Sequence, residues 1–69
     1  MNTFRVWIRQ FIGESTPFGD LADDITDDST FPKKNDHDII LEYLHEQRAI
    51  PNAITTFETA WKQYQTKNQ

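Results

Sequence analysis

The sequence predicts an all-α fold, a compact bundle of four to five short helices in a single domain, residues 1–69. Apolar residues recur with the i, i+3, i+4, i+7 spacing of a helix that buries one face, and they do so in four separate segments. Proline, glycine or a short polar residue punctuates the chain between these segments. A chain of 69 residues has one small core, because domains of this size bury only about 60% of the surface that their unfolded chain exposes.

The first helix is expected over residues 2–12. Asn2 or Thr3 caps its start, and Gly13 ends it in the left-handed conformation that glycine adopts at little cost. Its buried stripe consists of Phe4, Trp7, Ile8, Phe11 and Ile12. A short basic helix with a tryptophan can also lie on a membrane surface. We favour burial of this helix in the core and expect no membrane contact, because a domain this small needs its most apolar face for folding.

The second helix is expected over residues 17–28. Thr16 is a good N-cap, and Pro17 follows at the first helical position, where its missing N–H group costs nothing. Gly19 in the first turn is expected to weaken the helix by up to about 1 kcal/mol. The buried stripe consists of Phe18, Leu21, Ala22 and Ile25.

The connection over residues 29–35 contains an aromatic–proline pair. Pro32 forces Phe31 out of the α region, so the second helix cannot continue through it, and the Phe31 ring is expected to fill the core. The second helix ends in aspartates, which the helix dipole disfavours at that end. Lys33 and Lys34 are candidates for the cation that this end needs.

The third helix is capped by Asn35 or Asp36 and is expected to run to about residue 48. Its apolar stripe consists of Ile40, Tyr43 and Leu44, with Ile39 and Leu41 widening it. A stripe this wide predicts a central helix that several neighbours contact.

The fourth helix is expected over residues 52–66, with Ile50 before it as a hydrophobic staple. Its stripe consists of Ile54, Phe57, Trp61 and Tyr64. The predicted core of the whole chain comprises Phe4, Trp7, Ile8, Phe11, Leu21, Ile25, Phe31, Ile40, Tyr43, Leu44, Phe57, Trp61 and Tyr64.

Three motifs in this order resemble the YozE-like family of small uncharacterised bacterial proteins. They are Phe31-Pro32-Lys33, the Tyr43-Leu44 pair after Ile40, and the segment from Phe57 to Tyr64, which reads F-x-x-A-W-x-x-Y. Phe4, Trp7, Ile8, Phe11 and Asp28 match as well, so the similarity covers nearly the whole chain. The resemblance implies a SAM-like fold, a bacterial source and an intracellular setting. It implies no activity, because SAM-like folds include both protein-binding and nucleic-acid-binding domains.

The charge pattern shows one strong feature, an acidic face on the second helix. Asp20, Asp23, Asp24 and Asp27 share this face through their i, i+3, i+4, i+7 spacing. The face is either a solvated surface or a docking site for a partner, in which case Asp23, Asp24 and Asp27 bind it. Carboxylates can hold Ca²⁺ or Mg²⁺, but the EF-hand pattern is absent and we expect no metal.

The residue types needed for catalysis are not arranged as known motifs require. Neither Ser15 nor Ser29 lies in a nucleophile elbow, and the two glycines do not form a phosphate-binding loop. His37 and His45 lie two helical turns apart, too far to share a metal. Each could pair with a nearby carboxylate such as Asp38 or Glu46, and we expect both at the surface. We therefore predict no enzyme and no cofactor.

The sequence leaves two binding functions open. The first is a cytoplasmic protein-interaction module, monomeric or a weak homodimer, whose protein partner the sequence does not identify. The second is a nucleic-acid-binding domain that uses a local basic patch around Lys33 and Lys34, with His37 beside it. The formal net charge of −4 argues against the second, because non-specific phosphate binding needs clustered cations.

Overall fold

The computed structural model describes residues 3–47 and 49–67, except for the side chain of Lys67. Within these residues the chain forms four α-helices and no strand. The helices are α1 (Phe4–Ile8), α2 (Pro17–Asp27), α3 (His37–Glu46) and α4 (Pro51–Lys67), and a 3-10 turn (Arg9–Phe11) continues α1. The predicted all-α class is confirmed. The alternative cap Asn2 and the predicted end of the third helix at residue 48 lie outside the described residues.

The N-terminal helix is shorter than the apolar stripe predicts. Thr3 caps it by accepting a hydrogen bond from the N–H of Val6 at 3.3 Å. The helix tightens into the 3-10 turn at Arg9, a common way for a helix to end. Ile12 leaves the helical conformation and is 46% exposed, so it does not join the core. Gly13 adopts a φ of 87°, as the predicted glycine stop requires.

Helix α2 begins as predicted, but Gly19 has a different role from the one expected. The hydroxyl of Thr16 accepts from the N–H of Gly19 at 3.1 Å, and Pro17 occupies the first turn. A Cβ atom on Gly19 would lie 2.0 Å from the carbonyl oxygen of Glu14 and 3.1 Å from that of Phe11. Glycine here therefore allows α2 to pack directly against the preceding turn, rather than merely weakening the helix.

The C-terminal end of α2 contacts a cation, as the dipole argument predicts, and that cation is Arg5 rather than Lys33 or Lys34. The Nη2 atom of Arg5 donates to the carbonyl oxygen of Asp28 at 3.0 Å. The guanidinium group of Arg5 also lies 5.7 Å from the ring centroid of Phe31. One arginine thus links α1, the end of α2 and the following connection.

Helix α4 is the central element of the bundle. It packs against α1, α2 and α3, whereas α3 packs against α4 alone among the described elements. The prediction that the third helix is central is therefore wrong. The wide apolar stripe of α3 is only partly buried, since Ile40 is 1% exposed but Ile39 is 39% exposed.

An aromatic cluster forms the centre of the core. The ring of Phe4 is fully buried, and its centroid lies between 5.3 and 5.9 Å from those of four other rings. These rings belong to Trp7, Phe57, Trp61 and Tyr64. The separations are typical of tilted and edge-to-face aromatic packing. The two ends of the described chain therefore meet in one cluster.

The structure buries every predicted core residue except Phe11 and Tyr43, which are partly buried. Phe11 lies on the 3-10 turn and packs edge-to-face against Trp7 and Phe18, at centroid distances of 5.4 and 5.2 Å. Tyr43 packs edge-to-face on Phe31, while its hydroxyl donates to the carboxylate of Asp28 near the surface. Both side chains therefore lie at the border of the core, where each packs against buried residues and remains partly exposed.

Candidate functional site

An open groove of about 530 Å³ lies between α2 and the start of α4. Helix α2 lines it with three exposed carboxylates, those of Asp20, Asp23 and Asp24. The apolar residues that line it include Leu21 from α2 and Ala53 from α4. The groove therefore combines an apolar surface with a concentration of negative charge.

Ile50 lines the same groove and is the most exposed of the large apolar side chains that the structure describes, at 65%. The sequence predicts a staple that packs against α4, and this prediction is wrong. Ile50 occupies the capping position itself, where its carbonyl oxygen accepts from the N–H of Ala53 at 2.9 Å and of Ile54 at 3.3 Å. The backbone of Ile50 thus starts α4, and its side chain is left in solvent.

The groove continues into a second cleft of about 200 Å³. Leu21, Asp24 and Ala53 line both, so the two are contiguous. The second cleft extends past the end of α2 to the C-terminal part of α3, where Tyr43 and Gln47 line it. Together they form one surface that follows the length of α2, which we call the α2–α4 groove.

Asp28 and Tyr43 line the far end of this groove, and they belong to a hydrogen-bonded group that also includes Thr30. The hydroxyl of Thr30 donates to Oδ1 of Asp28 at 2.7 Å, and the N–H of Thr30 donates to the same oxygen at 2.9 Å. The hydroxyl of Tyr43 donates to Oδ2 of Asp28. These bonds, with that from Tyr43 first, hold the pKa of Asp28 below its ordinary value of 3.8. The same carboxylate raises the pKa of Tyr43.

The predicted acidic site is only partly assembled in the groove. Asp23 and Asp24 line it, and Asp20 joins them. Asp27 is exposed and is not among the lining residues. Within residues 3–47 and 49–67, no group of three or more histidines and carboxylates is arranged to hold a metal ion.

A separate cleft of about 200 Å³ contains the predicted basic residues. Lys33 and Lys34 line it together with Arg5 of α1. The side chains of both lysines are exposed, whereas Arg5 is partly buried by its bond to Asp28. The structure thus brings the predicted lysine pair to the N-terminal helix.

His37 pairs with Asp38, as the sequence allows, but it also contacts α4 and is only partly exposed. Its ring stacks on Phe57 with the centroids 5.4 Å apart, and its side chain is 30% exposed. Nδ1 lies 2.9 Å from Oδ1 of Asp38, and Nε2 bonds Oε1 of Glu58. The bond to Glu58, followed by that to Asp38, raises the pKa of His37 above its ordinary value of 6.5. His37 therefore joins the start of α3 to α4 and is partly withdrawn from any partner.

The side chain of Asn35 links α1 to α4 through hydrogen bonds to Phe4 and Tyr64, a role that the sequence does not predict. Asp36 is the cap of α3, since its Oδ1 accepts from the N–H groups of Asp38 and Ile39 at 3.0 and 3.1 Å. Only one of the two predicted caps is needed, and this leaves the Asn35 amide available for contacts elsewhere. The sequence signal for this role is that two adjacent residues, Asn35 and Asp36, can each cap α3, so one of them is free to bond elsewhere.

Most of the chain matches one known protein family. The family model described as YozE SAM-like fold matches residues 3–66. The chain belongs to this family. The resemblance that the aromatic and F-P-K motifs predict is therefore confirmed, and with it the SAM-like fold. No solved structure matches the chain.

Two of the similar proteins come from Streptococcus pyogenes. The UPF0346 protein M28_Spy0369 of serotype M28 (strain MGAS6180) is 37% identical over 51 residues, which are 72% of this chain and 61% of that protein. The UPF0346 protein SpyM51485 of serotype M5 (strain Manfredo) is 39% identical over 49 residues, which are 70% of this chain and 69% of that protein. The chain thus spans between 61% and 69% of the length of these two UPF0346 proteins. No described helix has the length and hydrophobicity needed to cross a bilayer.

Proposed function

We propose that this protein is a non-catalytic protein-interaction module that binds its partner through the α2–α4 groove. The observation that supports this most directly is the position of Ile50. A large apolar side chain that is 65% exposed lies beside an open groove of about 530 Å³, which three carboxylates also line. An apolar contact with a polar rim is the arrangement that protein interfaces use.

The titratable groups with shifted pKa values support a structural role rather than catalysis. Asp28 accepts hydrogen bonds from the hydroxyls of both Tyr43 and Thr30. His37 bonds two carboxylates and stacks on Phe57. Each shift thus has a partner within the fold that explains it. We place the protein in the bacterial cytoplasm, as a monomer or weak homodimer, because its net charge of −4 favours solubility and it has no cysteine.

Site-specific photo-crosslinking in the host bacterium tests this function. A photoreactive benzoylphenylalanine replaces Ile50 in one variant and Val6 in the control, because Val6 is also exposed, at 47%, but lies on α1 outside the groove. We expect discrete protein adducts from position 50 and none of the same mass from position 6. The absence of adducts at position 50, or the same adducts at both positions, would contradict the proposal.

A second candidate function is nucleic-acid binding through the cleft of Arg5, Lys33 and Lys34. The observation that favours it is the convergence of these three cations on one cleft. Against it stand the net charge of −4 and the acidic face of α2.

Binding to single- and double-stranded DNA and RNA across a salt series tests the second candidate. The affinity should fall steeply as the salt concentration rises. In the double variant Lys33→Glu, Lys34→Glu this fall should be less steep. The charge-matched control is Arg9→Glu, Lys62→Glu, since both residues are exposed and lie outside this cleft. No binding at low salt, or equal losses in both variants, would rule the cleft out.

A further inference from the structure

We infer that the occupant of the α2–α4 groove is a basic amphipathic helix of a partner protein, about three turns long. This inference rests on the proposed function and adds the chemistry and shape of the partner segment. The length of the groove, the state of its backbone groups and the placement of its charges support it independently.

The length of the groove sets the length of the segment. The two contiguous clefts follow the chain from Pro17 to Asp28. Eleven helical steps at 1.5 Å each span about 16 Å, which is about three turns of a second helix lying alongside. An extended segment of about five residues would span the same distance.

The walls of the groove favour a helix over an extended segment. An extended peptide obtains much of its affinity by pairing its backbone with a sheet edge. One long wall is α2, and the other is formed by the start of α4 followed by the C-terminal part of α3. Neither wall contains a strand among the residues that the structure describes, and beyond the first turn of each helix the backbone groups bond within that helix. The side chain of Thr56 in the groove is also engaged, because its hydroxyl donates to the carbonyl oxygen of Asn52 at 2.8 Å. A helical occupant satisfies its own backbone and needs none of these groups.

The charges of the groove define the partner's polar face. Asp20, Asp23 and Asp24 lie within about one turn of α2 and are all exposed. Lysines or arginines spaced i, i+3 or i, i+4 on a facing helix match this spacing. Because these carboxylates are at the surface, their attraction mainly accelerates association and falls with salt.

Ile50 defines the partner's apolar face. Leu21 is only 5% exposed and has little surface left to bury, whereas Ile50 is 65% exposed. One or two apolar side chains of the partner cover Ile50 and contact Ala53. They supply the hydrophobic part of the interaction. The partner helix is therefore amphipathic, with its basic face on α2 and its apolar face towards the start of α4.

A synthetic peptide of about 12 residues tests this inference, with blocked ends and an alanine-rich sequence that places lysines and leucines on adjacent helical faces. Its control is a peptide of identical composition in an order that mixes lysine and leucine around the helix. Binding is measured by fluorescence anisotropy of labelled peptide, and the site by amide chemical shifts of ¹⁵N-labelled protein. We expect the amphipathic peptide to bind more tightly and to shift amides in residues 17–28 and 50–56.

Two charge-matched variants separate the groove from general attraction to an acidic protein. Asp23→Lys, Asp24→Lys should weaken binding by about tenfold or more, and Glu42→Lys, Glu46→Lys by less than about threefold, although both change the net charge equally. Ile50→Ser should weaken binding without changing how steeply the affinity falls with salt concentration. Equal losses in the two double variants, or equal binding of the two peptides, would overturn the inference.

The failure of this inference is distinguishable from the failure of the proposed function. If the peptide does not bind but position 50 still yields protein adducts in cells, the groove binds a partner of different chemistry and this inference is wrong. If position 50 also yields no adducts, the proposed function itself is wrong.

Discussion

The side-chain amide of Asn35 donates a hydrogen bond of 2.8 Å to the hydroxyl of Tyr64. The other end of the same amide, Oδ1, accepts from the backbone N–H of Phe4 at 2.8 Å. One residue in the connection before α3 therefore joins the start of α1 to the last turns of α4. It does so directly beside the aromatic cluster that contains both Phe4 and Tyr64.

Replacing Asn35 with alanine should lower the free energy of unfolding by about 1–2 kcal/mol, because both bonds are lost and the N–H of Phe4 is left without this acceptor. Asn35→Asp should have a smaller effect, since it keeps an acceptor for Phe4 but loses the donor to Tyr64. Urea denaturation measures both. Gln65→Ala, an exposed residue on α4, is the control, and a loss for Asn35→Ala no larger than for this control would contradict the linking role.

Gly19→Ala should destabilise the protein by about 1–3 kcal/mol, even though alanine favours a helix by about 1 kcal/mol over glycine. The reason is the carbonyl oxygen of Glu14, which would lie 2.0 Å from the new Cβ atom. Thermal unfolding followed by circular dichroism measures the change. A melting temperature equal to or above that of the wild type would show that the backbone of the preceding turn moves away at no cost.

Local sequence signals were sufficient for the start of α2 and for its buried face. Thr16 and Pro17 mark the start, and the spacing of Leu21, Ala22 and Ile25 defines the face, all within about three turns. These features depend on residues close together in the chain. The end of α1 was less predictable, because an α-helix and a 3-10 turn share the i, i+3 spacing of their apolar residues.

The interactions that join the elements were not predictable from local patterns. Arg5 and Asp28 are 23 residues apart in the chain, and His37 and Glu58 are 21 apart. Each of these polar residues has at least one chemically equivalent alternative in the sequence, such as Arg9 for Arg5 and His45 for His37. The exposure of Ile50 is not predictable for a related reason. Apolar character alone predicts burial, and only the tertiary structure determines which apolar side chain remains exposed.

The link between α3 and α4 should weaken as the pH rises. The bond to Glu58 raises the pKa of His37 in the folded state above 6.5, so the folded state holds this proton more tightly than the unfolded chain. The stabilisation is therefore complete below the unfolded pKa and is lost as the pH rises through the higher folded pKa. Urea denaturation across this range should show the loss.

The matched variants for this pH dependence are His37→Gln and His45→Gln. His45 lies on the same helix and is exposed. We expect His37→Gln to remove this part of the pH dependence and His45→Gln to leave it in place. An NMR titration in which the His37 ring titrates at or below 6.5 would contradict the bond to Glu58.

Tyr43→Phe should make the protein more sensitive to acid. The hydrogen bond from Tyr43 lowers the pKa of Asp28 below 3.8, so its stabilisation is complete above that value and is lost as the pH falls through the lower folded pKa. Removing the hydroxyl should raise the pKa of Asp28 and move the midpoint of acid unfolding to higher pH. A difference between variant and wild type that does not shrink at low pH would contradict this account, because the loss would then not depend on the ionised carboxylate of Asp28.

The most direct measurement of docking in the α2–α4 groove is the yield of protein adducts from a photoreactive group at position 50, compared between two charge-reversed backgrounds. In the Asp23→Lys, Asp24→Lys background the yield should fall by about fivefold or more, because the carboxylates that line the groove with Ile50 are reversed. In the Glu42→Lys, Glu46→Lys background, which has the same net charge, it should remain near that of the wild type. Equal yields in the two backgrounds would contradict binding through this groove.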